Sequence, residues 1–355
     1  MGARQWAKGA AANIFPLNPE QMALDLSKEV YWLVGLALVL LVVLQIIDAI
    51  MRDNIVTPYM ESVSEGFANM EAESKAEDES KGLVKYLDNT ELYDAFYAGI
   101  YDQLSMGTER TQAEVALIFH EWTKRAEDKR TFSILDAGCG TGIATASFAK
   151  LGVKKVVGLD RSDPMLHQAK TVTIPATTLT EDQKAAIQWR KEDLINPGAC
   201  EGGEFTHAVL MYFTIYYFND KEALFRNLFF WVKPGGRLVV HLVNKHKFDP
   251  ILDSAKGWVG FSLQKYSDTR VKRSEVTFNN MKYVGEFDLQ DPGAEFRETF
   301  RFNNGKVRRQ KHAVKMEDMN TIVGMAKVAG WEYVGYTDLI DVGFEYAYHL
   351  HFKHP

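Results

Sequence analysis

The stretch Ile134-Leu-Asp-Ala-Gly-Cys-Gly-Thr-Gly142 decides the fold, together with a second apolar run that ends in Asp160, eighteen positions after Gly142. The first run predicts a buried strand, and the glycine-rich turn after it opens a helix predicted over Ile143 to Lys150. Because glycine has no Cβ, this turn can bend sharply and bring its backbone close to a ligand. Asp160 places a carboxylate where it can accept hydrogen bonds from two ribose hydroxyls. The pattern predicts a nucleoside-binding crevice at the carboxyl ends of a parallel sheet.

The glycine spacing indicates which nucleoside the crevice takes. A dinucleotide fold favours G-x-G-x-x-G, in which a pyrophosphate reaches the helix N-terminus. Here the spacing is G-x-G-x-G, and Asp136 stands two positions before the first glycine. A carboxylate beside the turn repels a pyrophosphate and attracts an ammonium group. S-adenosylmethionine (SAM) carries adenosine at one end and a methionyl ammonium at the other, so SAM rather than NAD is the predicted cofactor.

Leu135–Gly142 resembles motif I of the class I SAM-dependent methyltransferases. Further blocks follow in family order: Gly158–Asp160, Ser162–Ala169, Glu192–Leu194, His207–Met211 and Trp231–His241. The resemblance covers roughly residues 90–245 and, more loosely, the C-terminal 40 residues. It implies an α/β fold with a seven-stranded, doubly wound, mostly parallel sheet, closed by an antiparallel hairpin.

The resemblance also implies the residues that hold the methionyl end of SAM. These are Asp136 and the backbone amides of Gly138, Gly140 and Gly142.

The adenosine end is assigned in the same way. Asp160 takes the ribose with Arg161 beside it, Asp193 accepts from the adenine amine, and Leu194 flanks the ring. Met211, at the end of the fourth strand, is expected beneath the reactive methyl group.

Methyl transfer from a sulfonium needs alignment, and it needs a base only when the nucleophile must lose a proton. His241 at the end of the fifth strand is the best candidate base, since a histidine titrates near neutrality, and it is expected to face the crevice. Tyr212, after the fourth strand, is the second catalytic candidate. A core histidine with satisfied hydrogen bonds is the alternative interpretation of His241.

Tyrosines cluster at two places and predict the acceptor pocket. Tyr216 and Tyr217 follow the fourth strand, while Tyr93, Tyr97 and Tyr101 recur every four residues along one helical face. Aromatic walls stabilise a sulfonium or an amine through cation–π contacts. The N-terminal stripe is predicted to close over the cofactor as a lid, with ordinary core packing as the alternative for each ring.

The sequence predicts no metal site. His349, His351 and His354 alternate near the C-terminus, but no Asp, Glu or Cys stands nearby with ligand spacing. Cys139 and Cys200 are too few for a disulfide framework, and neither position indicates catalysis.

Val30 to Ile47 is an uncharged run of eighteen residues, thirteen of them Val, Leu or Ile. As a helix it would be about 27 Å long, close to the hydrocarbon thickness of a bilayer. It predicts a single transmembrane helix, with a buried helix of the globular domain as the alternative. The acidic segment after it, with seven acids and two lysines over residues 61–81, reads as a stalk.

The location of the catalytic domain is predicted on the cytosolic side of a membrane. Lys28 and Arg52 flank the run symmetrically, so the positive-inside rule does not decide the orientation. Arg4 and Lys8 precede the first acid, which also resembles a mitochondrial presequence, and the mitochondrial inner membrane is the alternative. The charge outside the stalk is nearly balanced, so no nucleic-acid partner is expected.

These observations divide the chain into six parts. They are a tail (1–29), the transmembrane helix (30–47), the stalk (48–88), the SAM-binding core (89–247), an antiparallel β insertion over the substrate (248–315), and a helix with the closing strands (316–355). The predicted function is methyl transfer from SAM to a small-molecule or lipid-like acceptor at a membrane. The alternatives are a protein methyltransferase, a non-catalytic membrane-anchored scaffold and a dehydrogenase. The acceptor, the atom methylated and the oligomeric state stay open.

Overall fold

The computed structural model describes residues 86–105, 107–124, 128–250 and 272–355, together with isolated positions between 32 and 45. The predicted tail, nearly all of the predicted stalk and much of the predicted transmembrane helix lie outside the described residues. Within the described part of the chain, no helix has the length and apolar character needed to cross a bilayer. Lys85–Pro355 is a compact unit, and it contains both sheets.

The helices of this unit are named here in chain order. They are α1 (Ala95–Ser105), α2 (Gly107–Thr123), α3 (Ile143–Lys150), α4 (Asp163–Gln168), α5 (Ile174–Ala176), α6 (Glu181–Ala185), α7 (Lys221–Trp231) and α8 (Met319–Val328). A short 3₁₀ turn, Thr214–Tyr217, follows the fourth strand.

The strands are named in the same way. They are β1 (Ser133–Ala137), β2 (Lys155–Asp160), β3 (Ile187–Lys191), β4 (Phe205–Leu210), β5 (Val232–Val243), β6 (Arg273–Thr277), β7 (Met281–Gln290), β8 (Gly293–Phe302), β9 (Val307–Lys315), β10 (Glu332–Asp338) and β11 (Ala347–Lys353).

Seven strands form one mixed sheet in the order β10-β11-β5-β4-β1-β2-β3. Neighbours from β5 to β3 pair in parallel, whereas β11 pairs antiparallel with both β5 and β10. The predicted seven-stranded α/β fold with a closing antiparallel hairpin is therefore confirmed. The order places the carboxyl ends of β1, β2 and β4 side by side, which is where such sheets build their sites.

Burial on both faces explains why these segments read as continuous apolar runs. On one face, Leu135 of β1 packs with Val157 of β2, and on the other Ile134 packs with Val156. All four side chains have no exposed surface. Helices cover both faces, so the sheet is doubly wound.

The second sheet has four strands in the order β6-β7-β8-β9, every pair antiparallel. It lies within the predicted insertion at 248–315 and confirms that this segment is antiparallel. One face of it packs on α1, where Phe96 of the helix contacts Phe300 and Phe302 of β8 with ring centroids 5.3 and 5.4 Å apart. The boundaries of the six predicted parts remain predictions.

A pair of glycine variants tests the tight entry into β5. A Cβ at Gly236 would lie 2.6 Å from the Thr206 carbonyl oxygen and 2.8 Å from that of Lys233, backbone atoms that cannot move independently. Gly236→Ala is expected to lower the free energy of unfolding by about 1–3 kcal/mol, the usual cost of overpacking. Gly324 lies in α8 with no atom within 4 Å of an added Cβ, and Gly324→Ala is expected to raise it by about 1 kcal/mol. Urea unfolding of both variants measures the two effects. If both substitutions change the free energy of unfolding in the same direction, this account of β5 is wrong.

Candidate active site

A cavity of about 1160 Å³ lies at the carboxyl ends of β1, β2 and β4. Residues of the glycine turn, of α1, of the 3₁₀ turn and of the four-stranded sheet line it together. The cavity is thus bounded by elements far apart in the sequence. The predicted site residues divide into those that line it and those that lie behind its wall.

The glycine turn is held by its own hydrogen bonds. The Gly138 N–H donates to the Leu159 carbonyl at 2.8 Å, the Gly142 N–H to the Cys139 carbonyl at 2.9 Å, and the Gly140 N–H to the Asp160 carboxylate at 2.9 Å. The three amides predicted to hold a ligand are therefore already engaged within the protein. The turn therefore presents backbone atoms without side chains to the cavity.

Positive φ angles explain why glycine is required in this turn. Gly138, Gly140 and Gly142 have φ of 74°, 53° and 79°, a region that L side chains rarely adopt. An added Cβ at Gly138 would meet Thr214 Cγ2 at 2.6 Å, whereas Gly140 lines the cavity and has open space where a Cβ would stand. Gly140 therefore forms the floor on which a ligand can rest.

Asp160 lines the cavity at the end of β2, as predicted from the sequence. One carboxylate oxygen accepts from the Gly140 N–H and the other from the Ser162 N–H, each at 2.9 Å. Burial raises the pKa of this carboxyl above its usual value, and these backbone donors only partly offset the effect. The two N–H donors fix the carboxylate at the junction of β2 and the glycine turn.

Asp136 lies beneath the same turn with no exposed surface, and it is not among the described residues that line the cavity. Its Oδ2 accepts from the Thr145 hydroxyl at 2.6 Å, while its Oδ1 has no hydrogen-bond partner within the described chain. Burial raises the pKa of Asp136 to about 6. A buried carboxylate oxygen without a partner is costly, and it becomes favourable only when a cation or donor comes near.

The remaining residues of the predicted nucleoside site take up two kinds of position. Arg161, Asp193 and Leu194 line the cavity. Met211 is buried in the core cluster between the sheet and α2, so the structure places it behind the cavity wall rather than in it.

Tyr212 lines the cavity in a strained backbone conformation, with φ of 50°. Such left-handed geometry in a bulky residue costs of order 1–3 kcal/mol and concentrates at functional sites. The Arg110 guanidinium lies 4.6 Å from the Tyr212 ring centroid and 3.9 Å from that of Phe344, between two cavity-lining rings.

His241 was expected to face the crevice, but the structure buries it behind Tyr212. Its side chain is 1% exposed, its ring lies 6.0 Å from the Tyr212 ring, and the described cavity lining does not include it. Burial lowers the pKa of His241 to about 4, although the nearby Glu114 carboxylate opposes the shift. The side chain points this way because β5 is central in the sheet and both its faces are covered.

Glu114 of α2 brings His241 and His349 together, a contact that the sequence does not reveal. The Glu114 carboxylate lies 2.9 Å from His349 Nε2 and 3.5 Å from His241 Nδ1, and all three side chains are buried. Two imidazoles and a carboxylate are groups that can hold a metal ion. Arg110 stands 3.8 Å from the same carboxylate and supplies a competing positive charge. The expected absence of a metal site stays a prediction.

The tyrosine predictions divide in the same way. Tyr97, Tyr101 and Tyr217 line the cavity together with Tyr93. Tyr216 does not: it is 1% exposed, and its hydroxyl accepts from the Val243 N–H at 2.9 Å, so it belongs to the core.

Two hydrogen bonds hold α1 and the segment just before it over the cavity. The Thr141 hydroxyl of the glycine turn donates to Asp102 at 2.6 Å, and the Ser162 hydroxyl donates to the Tyr93 carbonyl at 2.8 Å. The helix therefore lies over the edge of the sheet where β1 and β2 end, in the position expected of a lid.

The four-stranded sheet contributes polar residues to the cavity that no sequence pattern predicted. Glu298 and Tyr283 line the cavity alongside His312, and the three are buried. No sequence motif contains them, because the sequence predicts only that residues 248–315 form an antiparallel insertion over the substrate. They form a hydrogen-bonded chain in which Glu298 links Tyr283 to His312.

Comparison with known proteins agrees with this geometry. A family model described as a methyltransferase domain matches residues 108–283. The chain is 26% identical over 284 residues to the ubiquinone/menaquinone biosynthesis C-methyltransferase UbiE of Photorhabdus laumondii, covering 78% of this chain and 93% of that protein. It is 28% identical over 114 residues to the mitochondrial ubiquinone biosynthesis O-methyltransferase of Dictyostelium discoideum, covering 32% of this chain and 36% of that protein.

Solved structures share the fold. The CcbJ methyltransferase from Streptomyces caelestis has a TM-score of 0.53 at 16% identity and covers 74% of this chain and 98% of its own. A SAM-dependent methyltransferase from Clostridium acetobutylicum has a TM-score of 0.52 at 15% identity, covering 73% and 97%.

These similarities identify the chain as a SAM-dependent methyltransferase, and its sheet order and glycine turn beside an acidic strand end are those of the class I fold. Its methyl donor is SAM.

Proposed function

We propose that the chain methylates a small molecule bound in the cavity beneath α1 and the four-stranded sheet. The observation that carries the proposal is a single cavity lined both by Gly140 and Asp160 and by an aromatic wall that includes Tyr97, Tyr101 and Tyr217. A volume of about 1160 Å³ exceeds what small-molecule sites usually need, which leaves space for donor and acceptor together. The UbiE and O-methyltransferase relatives, named for quinone biosynthesis, support a small-molecule acceptor.

The residues present fit SAM. Asp160, which two backbone N–H groups hold in place, is positioned to accept from the ribose hydroxyls of SAM. Gly140 has no side chain and leaves room for the methionyl end of SAM. Asp193 and Leu194 line the cavity where the adenine ring is expected. The unpartnered oxygen of Asp136 gains from a nearby ammonium, which acts on it through the electric field rather than by direct contact.

SAM, when bound, supplies an electrophilic methyl group. The chain's own residues orient the acceptor, and α1 with the four-stranded sheet excludes water from it. Holding the two reactants in line lowers the barrier by up to about 7–11 kcal/mol in well-aligned systems. The tyrosine rings stabilise positive charge near them by about 0.5–2 kcal/mol each.

Labelled SAM tests the proposal. Equilibrium binding to the full chain should be saturable, and incubation with cell extracts should move the label into the small-molecule or lipid fraction. Label that appears in protein instead would favour the protein methyltransferase. Binding without any transfer would favour the scaffold, and absence of binding would refute the proposal.

We also infer, from sequence alone, that residues 30–47 anchor the catalytic unit at a membrane, with that unit on the cytosolic side. The inference rests on an uncharged run long enough to span a bilayer, and a membrane location suits a lipid-soluble acceptor. The alternative is that residues 30–47 anchor the catalytic unit at the mitochondrial inner membrane.

Paired aspartates test the anchor. Leu40→Asp with Val43→Asp adds about 5–7 kcal/mol to the cost of insertion and should release the full chain from membranes washed at alkaline pH. Ala72→Asp with Ala76→Asp, in the predicted stalk, makes the same charge change and should leave the chain membrane-bound. Protease added outside sealed cells should spare the catalytic unit, and release of the unmodified chain by the wash would contradict the anchor.

A further inference from the structure

A continuous chain of buried hydrogen bonds runs from the four-stranded sheet to the cavity. His312 of β9 lies with its Nε2 2.7 Å from Glu298 Oε2 of β8, and its Nδ1 lies 2.7 Å from the Tyr217 hydroxyl. Glu298 and His312 are 6% and 5% exposed. All three side chains line the cavity that contains Asp160.

The partners of Glu298 fix where the protons lie. Its Oε1 accepts from the Tyr283 hydroxyl at 2.8 Å, and its Oε2 accepts from Gln310 Nε2 at 2.6 Å. Burial raises the pKa of this carboxyl, but His312, Gln310 and Tyr283 outweigh it and hold the pKa below its usual value. Tyr283 and Gln310 already donate to this carboxylate, and an ionised Glu298 accepts from His312 Nε2 as well, so that nitrogen carries the shared hydrogen.

This tautomer leaves the lone pair of His312 Nδ1 directed at the Tyr217 hydroxyl, 2.7 Å away. The hydroxyl then donates to His312, and its oxygen keeps a lone pair for another donor. The Tyr217 ring lies 6.0 Å from that of Tyr93, and both residues line the cavity that Asp160 also lines. The end of the chain of bonds that faces the cavity therefore opens into the same space as the proposed donor site.

We propose that Tyr217, His312 and Glu298 form a proton relay that deprotonates the attacking nitrogen or oxygen of the methyl acceptor. This rests on the proposed function and narrows its substrate to acceptors that lose a proton from such an atom. Tyr217 is the group that touches the acceptor, His312 stores the proton, and Glu298 is a positioning residue. The arrangement follows the logic of a carboxylate that orients a histidine and stabilises its imidazolium form.

The step balances as a displacement coupled to one proton transfer. The acceptor atom forms its bond to the methyl carbon while the carbon–sulfur bond breaks, and its electron pair stays on the leaving thioether. The acceptor's proton passes to the Tyr217 oxygen, and the Tyr217 proton passes to His312 Nδ1. The imidazolium then stands beside the Glu298 carboxylate and later returns the proton to solvent.

The histidine tautomer tests the relay without any knowledge of the acceptor. Long-range ¹H–¹⁵N spectra of the full chain with labelled histidine resolve the ring nitrogens, and the His312 signals are those lost in His312→Gln. At neutral pH the proton should lie on Nε2, and Nδ1 should be bare. A proton on Nδ1, or on both nitrogens, would overturn the relay.

Transfer rates from labelled SAM supply the second test. In Tyr217→Phe, His312→Gln and Glu298→Gln, kcat should fall by about 100-fold, the lower range for loss of a general base. The affinity for S-adenosylhomocysteine should change less than threefold. His351→Gln is the matched control, because His351 of β11 bonds Thr337 outside the cavity lining described here, and its kcat should match the unmodified chain.

The pH profile separates chemistry from structure. The titratable groups that face His312 are Tyr93 just before α1, Tyr97 of α1, Tyr217 of the 3₁₀ turn and Glu298 of β8. If the relay removes a proton, the deficit of the variants should shrink as rising pH deprotonates the acceptor in solution; a constant deficit would mean a structural role. Unchanged kcat in all three variants would refute the relay alone, whereas loss of SAM binding by the unmodified chain would refute the proposed function.

Discussion

Asp160→Ala is expected to weaken SAM binding about a thousandfold. The carboxylate is placed to accept from two ribose hydroxyls, and hydrogen bonds to a charged group contribute about 1.5–3 kcal/mol each. A loss of about 4 kcal/mol corresponds to a factor of a thousand in the dissociation constant. The substitution also removes the acceptor of the Gly140 N–H, so the floor of the cavity loses a fixed point. Isothermal titration calorimetry of the full chain with SAM measures the change.

Two further variants show whether the loss belongs to this carboxylate. Asp163→Ala removes an exposed acid three residues further along the chain, which pairs with Lys191, and should leave the SAM affinity within a factor of two. Asp160→Asn keeps a carbonyl oxygen but no charge, so its affinity should lie between those of Asp160→Ala and the unmodified chain. If all three variants bind SAM as tightly as the unmodified chain, the ribose is held by other residues.

The sequence was sufficient for the centre of the parallel core because β1, β2 and β4 are buried on both faces. Such strands are short apolar runs, and the two runs predicted before the glycine turn and before Asp160 are β1 and β2 in the structure. The turn before α3 was predictable for a related reason, since its three positive φ angles are ones that glycine adopts without the strain a side chain would bring. The location of Asp160 in the cavity follows from these two features.

The sequence did not determine which way individual side chains point. Tyr216 is next to the cavity-lining Tyr217 in sequence, and His241 lies two residues before the cavity-lining Val243, yet both are buried in the core because the strands and helices packed over them leave no opening. Glu114 reaches His349 across 235 positions of the chain. Contacts of this kind depend on packing between elements, and no local pattern encodes them.

The four-stranded sheet shows the same division. The sequence predicted an antiparallel insertion at 248–315, but the partners of Glu298 depend on the register, which pairs Glu298 with Gln310 and Phe296 with His312. A shift of one residue would send these side chains to the opposite face. The proton relay was therefore visible only once the register was known.

Asp136→Asn is expected to stabilise the protein and weaken SAM binding. Because burial raises the pKa of Asp136 from 3.8 to about 6, its ionised form is less favourable in the folded state than in the unfolded chain. Below pH 4 the carboxyl is protonated in both states and costs nothing. Between pH 4 and 6 only the unfolded chain releases the proton, so stability falls as pH rises, and above pH 6 the full cost of about 3 kcal/mol is present.

Asparagine removes that cost and keeps an oxygen for the Thr145 hydroxyl. The variant should therefore gain up to about 3 kcal/mol of unfolding free energy at pH 8 and nothing at pH 4, as measured by urea unfolding at both values. Glu332→Gln, an exposed change of the same charge on β10, should have no effect at either pH. The same Asp136 variant should bind SAM about 10- to 100-fold more weakly, because the ammonium loses its charged neighbour. A variant that gains stability but binds SAM unchanged would show that the Asp136 charge serves no part of the methionyl site.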